Sequence, residues 1–349
     1  MRPELFSLPF FHLSFKSYGL MMVLGFLAGL WLARRRSKKV GENPEEISSI
    51  ALWALILGVI GARAMHVIHN WWAYRDNPRE IFAVWSGGLE LLGGVILGSL
   101  VLTIYFVARK RPALNILDIL APSLMIGIAI GRVGCLLNGC CYGNVCELPW
   151  AIEFPAINVL TQASFGGEKK EFLRYSPPYE YQLAPDSQRR PGDDPYLILP
   201  DGYYAGYMDS QNRWYPSRAE VPDGVEVFRA PKSPGQLSET QREALRSGKF
   251  PMHRVHPAQL YSTLNALGLC LILNFLFNRR KYRGQIIAWM LVLYGLTRTG
   301  LEFLRSDSPL EFDGLTISQN LGLLAALTGI VLILILRKRA FLSDKGVVS

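Results

Sequence analysis

Three arginines lie inside long apolar stretches of this 349-residue sequence, and their chemistry suits an anionic ligand. They are Arg63, Arg132 and Arg298. A guanidinium group is permanently charged and presents a planar fork that binds phosphate through two hydrogen bonds. Because a charge inside a membrane is costly, it usually faces an internal cavity. The three arginines are therefore candidate ligands for a phosphate diester, and structural ion pairing is the alternative explanation.

One of these arginines belongs to a polar stripe. The stripe consists of Tyr294, Arg298, Glu302 and Arg305. Spacings of four, four and three residues place such side chains on one face of a helix. The stripe either locks two helices together through an Arg298–Glu302 ion pair, or it forms a polar wall that faces an anionic headgroup.

A segment rich in glycine and cysteine, IGRVGCLLNGCCYG, surrounds Arg132. Its glycines permit close approach of a ligand or a neighbouring backbone, and Asn138 adds a neutral hydrogen-bonding group. Four cysteines follow the pattern C-x4-C-C-x4-C: Cys135, Cys140, Cys141 and Cys146. This spacing differs from that of redox motifs and zinc ribbons. Packing of small side chains is the favoured interpretation, and a disulfide of Cys146 is the alternative.

The elements that must position these groups are membrane-spanning helices. Apolar residues make up 50% of the chain and charged residues only 19%, and seven stretches are nearly free of charge. These stretches cover residues 17–33, 47–69, 88–108, 114–137, 258–277, 285–304 and 317–336. Only helices or closed barrels satisfy every backbone group in lipid. The sequence predicts an all-α polytopic membrane protein with seven transmembrane helices, unless one segment is re-entrant.

The basic residues predict the orientation of these helices. Sixteen lysines and arginines follow the odd-numbered segments, whereas the connections on the other side hold few. By the positive-inside rule, the N-terminus lies outside and the C-terminus in the cytoplasm. The same placement accounts for the net charge of +9 without a nucleic-acid partner.

A polar insert interrupts the apolar pattern. Residues 1–143 hold helices one to four, and residues 254–349 hold helices five to seven and a cytoplasmic tail. Between them, residues 144–253 include the segments PYLILPDGYYAGY and GVEVFRAP, which are typical of short strands joined by turns. We expect a small, irregular, β-containing insert on the external side.

Two further polar residues border the predicted helices. His256 precedes Pro257 at the start of the fifth segment, where it can be a neutral donor, a base or a helix-start residue. Glu90 is expected just inside the third segment, and its role is open.

Six blocks of the sequence resemble the prolipoprotein diacylglyceryl transferase family and occur in that family's order. They are SYGLMMVLGFLAG, IGARAMHVI, WSGGLELLGGVILG, IGRVGCLLNGCCYG, HPAQLYS and LYGLTRTGLEFLRSD. The resemblance covers residues 15–143 and 254–337. It implies transfer of a diacylglyceryl group from phosphatidylglycerol to the lipobox cysteine in a prolipoprotein signal peptide, with glycerol 1-phosphate as the leaving group. It implies a bacterial cytoplasmic-membrane enzyme whose active site faces outward, with no metal and no soluble cofactor.

The resemblance also assigns roles to residues. Arg132 is similar to the arginine that holds the phospholipid headgroup, and Arg298 to a second essential arginine. The catalytic candidates are Arg298, Glu302, His256 and Tyr18. The candidates for headgroup binding are Arg132, Arg63, Asn138, Gly143 and Arg305.

Three positions depart from the family pattern. Leu92 replaces a histidine, Cys135 an asparagine and Cys140 a glutamate. The general base is therefore open among Glu302, His256, Glu90 and a water held by Tyr18. Other functions left open are a transporter or flippase for an anionic lipid or solute, a thiol–disulfide oxidoreductase, and a silent relative that binds lipoproteins or lipid.

Overall fold

A computed structural model describes residues 4–8, 13–75, 77–84, 88–154, 157–163, 169–175, 202–209, 213–222, 224–225, 227–247, 249, 254–305 and 314–346. Within these ranges the chain forms seven long helices. They are α1 (Ser17–Lys39), α2 (Pro44–His69), α4 (Leu91–Ala108), α5 (Ala113–Asn138), α7 (Ala258–Phe277), α8 (Gln285–Glu302) and α9 (Ile317–Gly346). Two short helices are α3 (Trp71–Tyr74) and α6 (Glu239–Arg246), and 3-10 turns cover Pro78–Phe82, Arg218–Glu220 and Pro234–Gln236.

Each of the seven predicted segments coincides with a long helix, although some ends differ. Helix α1 continues through its basic cluster to Lys39, because arginine and lysine are good helix formers. Helix α4 begins at Leu91, so the expectation that Glu90 lies inside it is wrong; Glu90 is the residue that precedes the first turn.

Five helices of the described chain are long and apolar enough to cross a membrane: α1, α2, α5, α7 and α9. The apolar stretch of α4 is shorter, and α8 carries Arg298 and Glu302 within its 18 residues. The protein is therefore a multi-pass membrane protein built mainly from helices.

Small residues allow the helices to pack closely in antiparallel pairs. A methyl group added at Gly25 of α1 would lie 2.9 Å from the backbone oxygen of Gly127 on α5. One added at Gly61 of α2 would lie 2.5 Å from the backbone oxygen of Gly93 on α4. Helices α8 and α9 form a third such pair. Close backbone approach at glycines is typical of helix association in membranes.

A buried carboxylate joins α5 to the start of α8. Asp118 is fully buried and accepts hydrogen bonds from the backbone N–H groups of Gly284, Ile286 and Ile287 at 2.8–3.0 Å. Arg280 donates to the same carboxylate at 3.3 Å. The N-terminus of a helix stabilises a nearby negative charge through the helix dipole. Asp118 therefore anchors α8 at the end of the bundle that carries the basic clusters.

The strands come from chain segments before α1 and between α5 and α7, and they pair antiparallel. They form a hairpin of β1 (Glu4–Leu8) with β2 (Leu13–Lys16), a hairpin of β3 (Ile157–Ala163) with β4 (Lys169–Tyr175), and a sheet of β5 (Tyr204–Asp209) between β6 (Trp214–Tyr215) and β7 (Val227–Pro231). Strand β7 lies within the predicted segment GVEVFRAP, and β5 begins in PYLILPDGYYAGY and extends two residues beyond it, with Tyr207 opposite Arg229. The first part of PYLILPDGYYAGY lies outside the described residues. The sequence reasoning did not find the two hairpins.

Candidate active site

Three chain segments meet just beyond the ends of α5 and α8 and before the start of α7. Gly143 donates its backbone N–H to the carbonyl of His256 at 3.0 Å, and His256 donates to that of Asn144 at 2.9 Å. Asn144 in turn donates its backbone N–H to the Leu304 carbonyl at 2.8 Å. A side chain at Gly143 would lie 2.5 Å from the Cβ atom of His256 and 2.7 Å from the Leu304 oxygen. Only glycine fits at this crossing.

A narrow cleft opens between α5, α7 and α8 at this end of the bundle. Its lining residues are Ile128, Arg132, Ser262, Asn265, Tyr294, Arg298 and Leu301. The cleft encloses about 10 Å³, which is about the space of one water molecule. The tertiary structure therefore brings Arg132 and Arg298 together from two different helices.

Arg298 is held by two neighbours. It donates to the Glu302 carboxylate one turn along α8, and to the Ser318 hydroxyl at the start of α9 at 2.9 Å. Glu302 is fully buried and also accepts from the Thr316 hydroxyl at 3.2 Å, and the Arg305 Nε lies 3.8 Å from its carboxylate. Arg298 and Arg305 therefore share the Glu302 carboxylate.

Arg132 has more freedom than Arg298. Across the part of the chain that the structure describes, its guanidinium donates no hydrogen bond to another residue. Its charge lies close enough to influence Tyr18, whose side chain is partly exposed at the start of α1. The donors of Arg132 are therefore available to an anion in the cleft.

His256 contacts Tyr261 of α7, which in turn contacts Trp150 of the preceding loop. Its Nδ1 lies 3.3 Å from the Tyr261 hydroxyl, which accepts a hydrogen bond from the Trp150 indole at 2.7 Å. Burial lowers the pKa of His256 below its usual value of 6.5, because a charged imidazole is poorly solvated there. His256 is therefore neutral at pH 7.

The turn after α5 gathers three cysteines. Gly139 adopts a left-handed conformation with φ +76°, and Cys140 donates its backbone N–H to the Cys135 carbonyl at 3.1 Å. This glycine-capped reversal is a Schellman motif. It brings Cys140 and Cys141 back beside Cys135, so that the three sulfur atoms lie within 4.8 Å of one another. All three thiols are free, and Asn138 contacts Cys140.

Within this cysteine cluster, Cys141 has a pKa below the ordinary value of a thiol. Its pKa is lowered mainly by hydrogen bonds with Cys135 and Cys140, and further by the positive charges of Arg305 and Arg132. The interpretation of the cysteines as packing residues did not foresee this arrangement, because it depends on the backbone turn at Gly139.

Arg63 lies apart from this cleft in the described structure. It donates to the backbone carbonyls of Ile81 at 2.9 Å, Glu80 at 2.5 Å and Gly88 at 3.0 Å, and its side chain is buried. These bonds hold the segment that leads into α4. Arg63 therefore does not line the cleft formed by Arg132 and Arg298 among the described residues.

Glu90 pairs with two histidines of α2. Its carboxylate lies 2.7 Å from Nδ1 of His69 and 3.5 Å from Nδ1 of His66. This cluster lies within one turn of Leu92, the position where the family pattern has a histidine.

The sequence did not lead us to the residues at the start of α9 that contact Arg298 and Glu302. Thr316 and Gln319 form a reciprocal cap at the start of α9, with bonds of 2.9 and 3.2 Å. The signal was present, because Thr-Ile-Ser-Gln before an apolar run is a capping-box pattern. Ser318 lies between these two capping residues, so the cap that starts α9 also positions the hydroxyl that accepts from Arg298.

Comparison with known proteins gives one consistent result. The family model for prolipoprotein diacylglyceryl transferase matches residues 3–335. A protein of Finegoldia magna named phosphatidylglycerol–prolipoprotein diacylglyceryl transferase is 27% identical over 94% of this chain and 94% of its own length. Proteins with the same name from Photobacterium profundum and Clostridium tetani are 38% and 36% identical over 41% and 44% of this chain, and 55% and 61% of theirs. The chain therefore belongs to the prolipoprotein diacylglyceryl transferase family.

Proposed function

We propose that this protein transfers the diacylglyceryl group of phosphatidylglycerol to the lipobox cysteine of a prolipoprotein signal peptide. A thioether forms, and glycerol 1-phosphate leaves. The observation that carries the proposal is the shared cleft of Arg132 and Arg298. Two guanidinium groups in a confined site match the charge and the two-bond geometry of a phosphate diester.

The proposed mechanism separates headgroup binding from charge stabilisation. Arg132, whose donors are available, binds the phosphate first. Arg298, held by Glu302 and Ser318, stabilises the charge that develops on the leaving phosphate. The acceptor thiol attacks carbon as a thiolate, which the positive surroundings favour. Because the cleft is small, lipid entry requires the helices to separate locally.

The remaining candidates surround this pair. Tyr18 lies near Arg132. Asn138 is the last residue of α5, before the turn at Gly139, and Gly143 and His256 lie where the three chain segments meet next to the cleft. Arg305 adds positive charge near Glu302. We keep Arg63 as a further candidate for headgroup binding, although its bonds to loop carbonyls favour a positioning role.

We further propose seven membrane spans with the N-terminus outside and the C-terminus in the cytoplasm of a bacterial cell. Antiparallel packing of α1 with α5, α2 with α4 and α8 with α9 supports alternating spans. The cleft lies at the end of the bundle opposite the basic clusters. It would therefore face the external side of the cytoplasmic membrane.

A transfer assay tests this function. Full-length protein in detergent or nanodiscs is mixed with phosphatidylglycerol labelled in its acyl chains and with a lipobox peptide. We expect label on the cysteine peptide, release of glycerol 1-phosphate, and no label on a peptide that carries serine instead. Movement of labelled lipid between leaflets without peptide labelling would favour a flippase and contradict the proposal.

A further inference from the structure

Three cysteines converge beside the cleft in a geometry that suits a metal ion. The sulfur atoms of Cys135, Cys140 and Cys141 lie within 4.8 Å of one another, and all three thiols are free. A zinc ion bound at its usual Zn–S distance would separate two sulfur atoms by roughly 3.8 Å in tetrahedral geometry. Small rotations of the side chains would therefore complete such a site.

The backbone holds two of these cysteines in place. The turn at Gly139 directs the chain back over the end of α5, and the buried side chain of Gln259 on α7 donates to the Cys140 carbonyl at 2.8 Å. Cys141 lies at φ +64°, a conformation that side-chain-bearing residues rarely adopt. Restraint from two helices keeps the thiols close before any ligand binds, which reduces the entropic cost of coordination.

The cluster and the cleft also share their electrostatic surroundings. The positive charges of Arg305 and Arg132 help to lower the pKa of Cys141, and Tyr18 at the start of α1 lies within electrostatic range of the three thiols and of Arg132. Three thiolates around a divalent ion carry one net negative charge. The neighbouring arginines would compensate that charge, so the environment favours a thiolate-bound cation.

We propose that Cys135, Cys140 and Cys141 form a three-thiolate site for a thiophilic divalent cation of the zinc class, with a fourth position open to the thiol of the acceptor peptide. The role of the metal in thiol activation rests on the proposed transfer function. Zinc with three protein ligands and one open position is the usual arrangement of a catalytic site, and a coordinated thiol loses its proton. The site would replace a general base at the acceptor.

The proposed step balances without an oxidant. The peptide thiol releases its proton to water and binds the cation as a thiolate. A lone pair of the thiolate sulfur then forms the S–C bond to the diacylglyceryl carbon. At the same time the C–O bond between that carbon and the phosphate breaks, and the electron pair of this C–O bond leaves with glycerol 1-phosphate. The cation keeps its charge of two throughout. Arg132 and Arg298 receive the departing phosphate at the neighbouring cleft.

Metal content and cobalt spectroscopy test the site. Full-length protein is purified with reductant, exposed to Zn²⁺ or Co²⁺, and freed of excess metal. We expect about one equivalent of bound metal per chain and thiolate-to-cobalt charge-transfer absorption. Serine at Cys135, Cys140 or Cys141 should weaken binding about tenfold or more. The matched controls Cys146→Ser and Cys270→Ser should bind metal as the unaltered protein does.

The acceptor peptide gives a second readout. A lipobox cysteine peptide should raise the charge-transfer absorption of the cobalt-loaded protein by about one third, because three thiolates become four. The serine peptide should leave the spectrum unchanged. An unchanged spectrum with both peptides would overturn the role of the cation in binding the acceptor.

Activity separates this inference from the function on which it rests. Metal removal should lower transfer to the cysteine peptide, and added Zn²⁺ should restore it. Transfer by protein that binds no metal, or a Cys135–Cys141 disulfide in place of bound metal, would overturn the metal site while the proposed transfer stands. Metal-loaded protein that shows the peptide-dependent spectrum but no transfer would overturn the proposed function and confirm only the metal site.

Discussion

Arg132 of α5 and Arg298 of α8 line the same cleft, although they are 166 residues apart in the sequence. Their environments differ. Arg298 is bound to a buried carboxylate and a hydroxyl, whereas the guanidinium of Arg132 donates no hydrogen bond to any residue in the described ranges. Arg298 is thus held in place by its partners, and the donors of Arg132 are available. This difference agrees with the proposed roles, in which Arg132 binds the headgroup and Arg298 stabilises the leaving phosphate.

Lysine at either cleft arginine should reduce transfer strongly. Arg132→Lys and Arg298→Lys keep the charge but lose the planar fork, so each should lower kcat/KM about 100-fold. Initial rates with labelled phosphatidylglycerol measure the effect. Arg254→Lys is the matched control, because Arg254 is exposed and pairs only with Glu153 in the described structure. Rates near that of the unaltered protein in both cleft variants would refute the headgroup role.

Glu302→Gln should destabilise the fold. The substitution removes the buried negative charge that pairs with Arg298, and breaking a buried ion pair costs roughly 3 kcal/mol. Thermal unfolding in detergent should show a clearly lower midpoint. Glu153→Gln, in an exposed pair, should cost about 1 kcal/mol or less. Equal midpoints for the two variants would argue against a structural contribution of Glu302.

Gly143→Ala should disturb the crossing of the three segments. The new methyl group would lie 2.5 Å from the Cβ atom of His256, and backbone atoms on the other side prevent its escape. We expect a loss of about 2 kcal/mol in stability and slower transfer. Gly300→Ala is the control at the same end of α8, where a methyl group would lie more than 4 Å from every other described part of the chain outside its own helical turn. It should leave the unfolding midpoint unchanged or raise it slightly, since alanine favours helix.

His256 should make the protein less stable in acid. Its folded pKa lies below its unfolded value of 6.5, so above pH 6.5 both states are neutral and the group has no effect. As the pH falls below 6.5, the unfolded chain binds the proton first and stability declines until the folded pKa is passed. Unfolding midpoints measured between about pH 5 and pH 7.5 should therefore fall more for the unaltered protein than for His256→Gln. Parallel curves for the two proteins would contradict this assignment.

Local composition was enough to predict the helices. Charge-free stretches of sufficient length have few alternatives in lipid, so each segment found in the sequence coincides with a long helix. The ends were less predictable. Helix α1 runs through its basic cluster, and α4 begins after Glu90. Individual residues, through their helix propensity and the turns they form, decide where a helix begins and ends.

The polar stripe on α8 was also visible in the sequence, because contacts one turn apart follow from helix geometry alone. The Arg298–Glu302 pair is such a contact. The support from Ser318 and Thr316 was not predicted, since it requires the start of α9 to pack beside the end of α8.

By itself the sequence determined the helical membrane architecture, the resemblance to a family and the identity of most candidate residues. Only the tertiary structure decided that Arg132 and Arg298 share a cleft while Arg63 serves loop carbonyls, and that a single left-handed glycine gathers three cysteines beside them. The physical reason is the distance along the chain over which each effect acts. Periodicity and transfer energy act along one segment, whereas cleft and cluster depend on how separate helix ends meet, which no local pattern specifies.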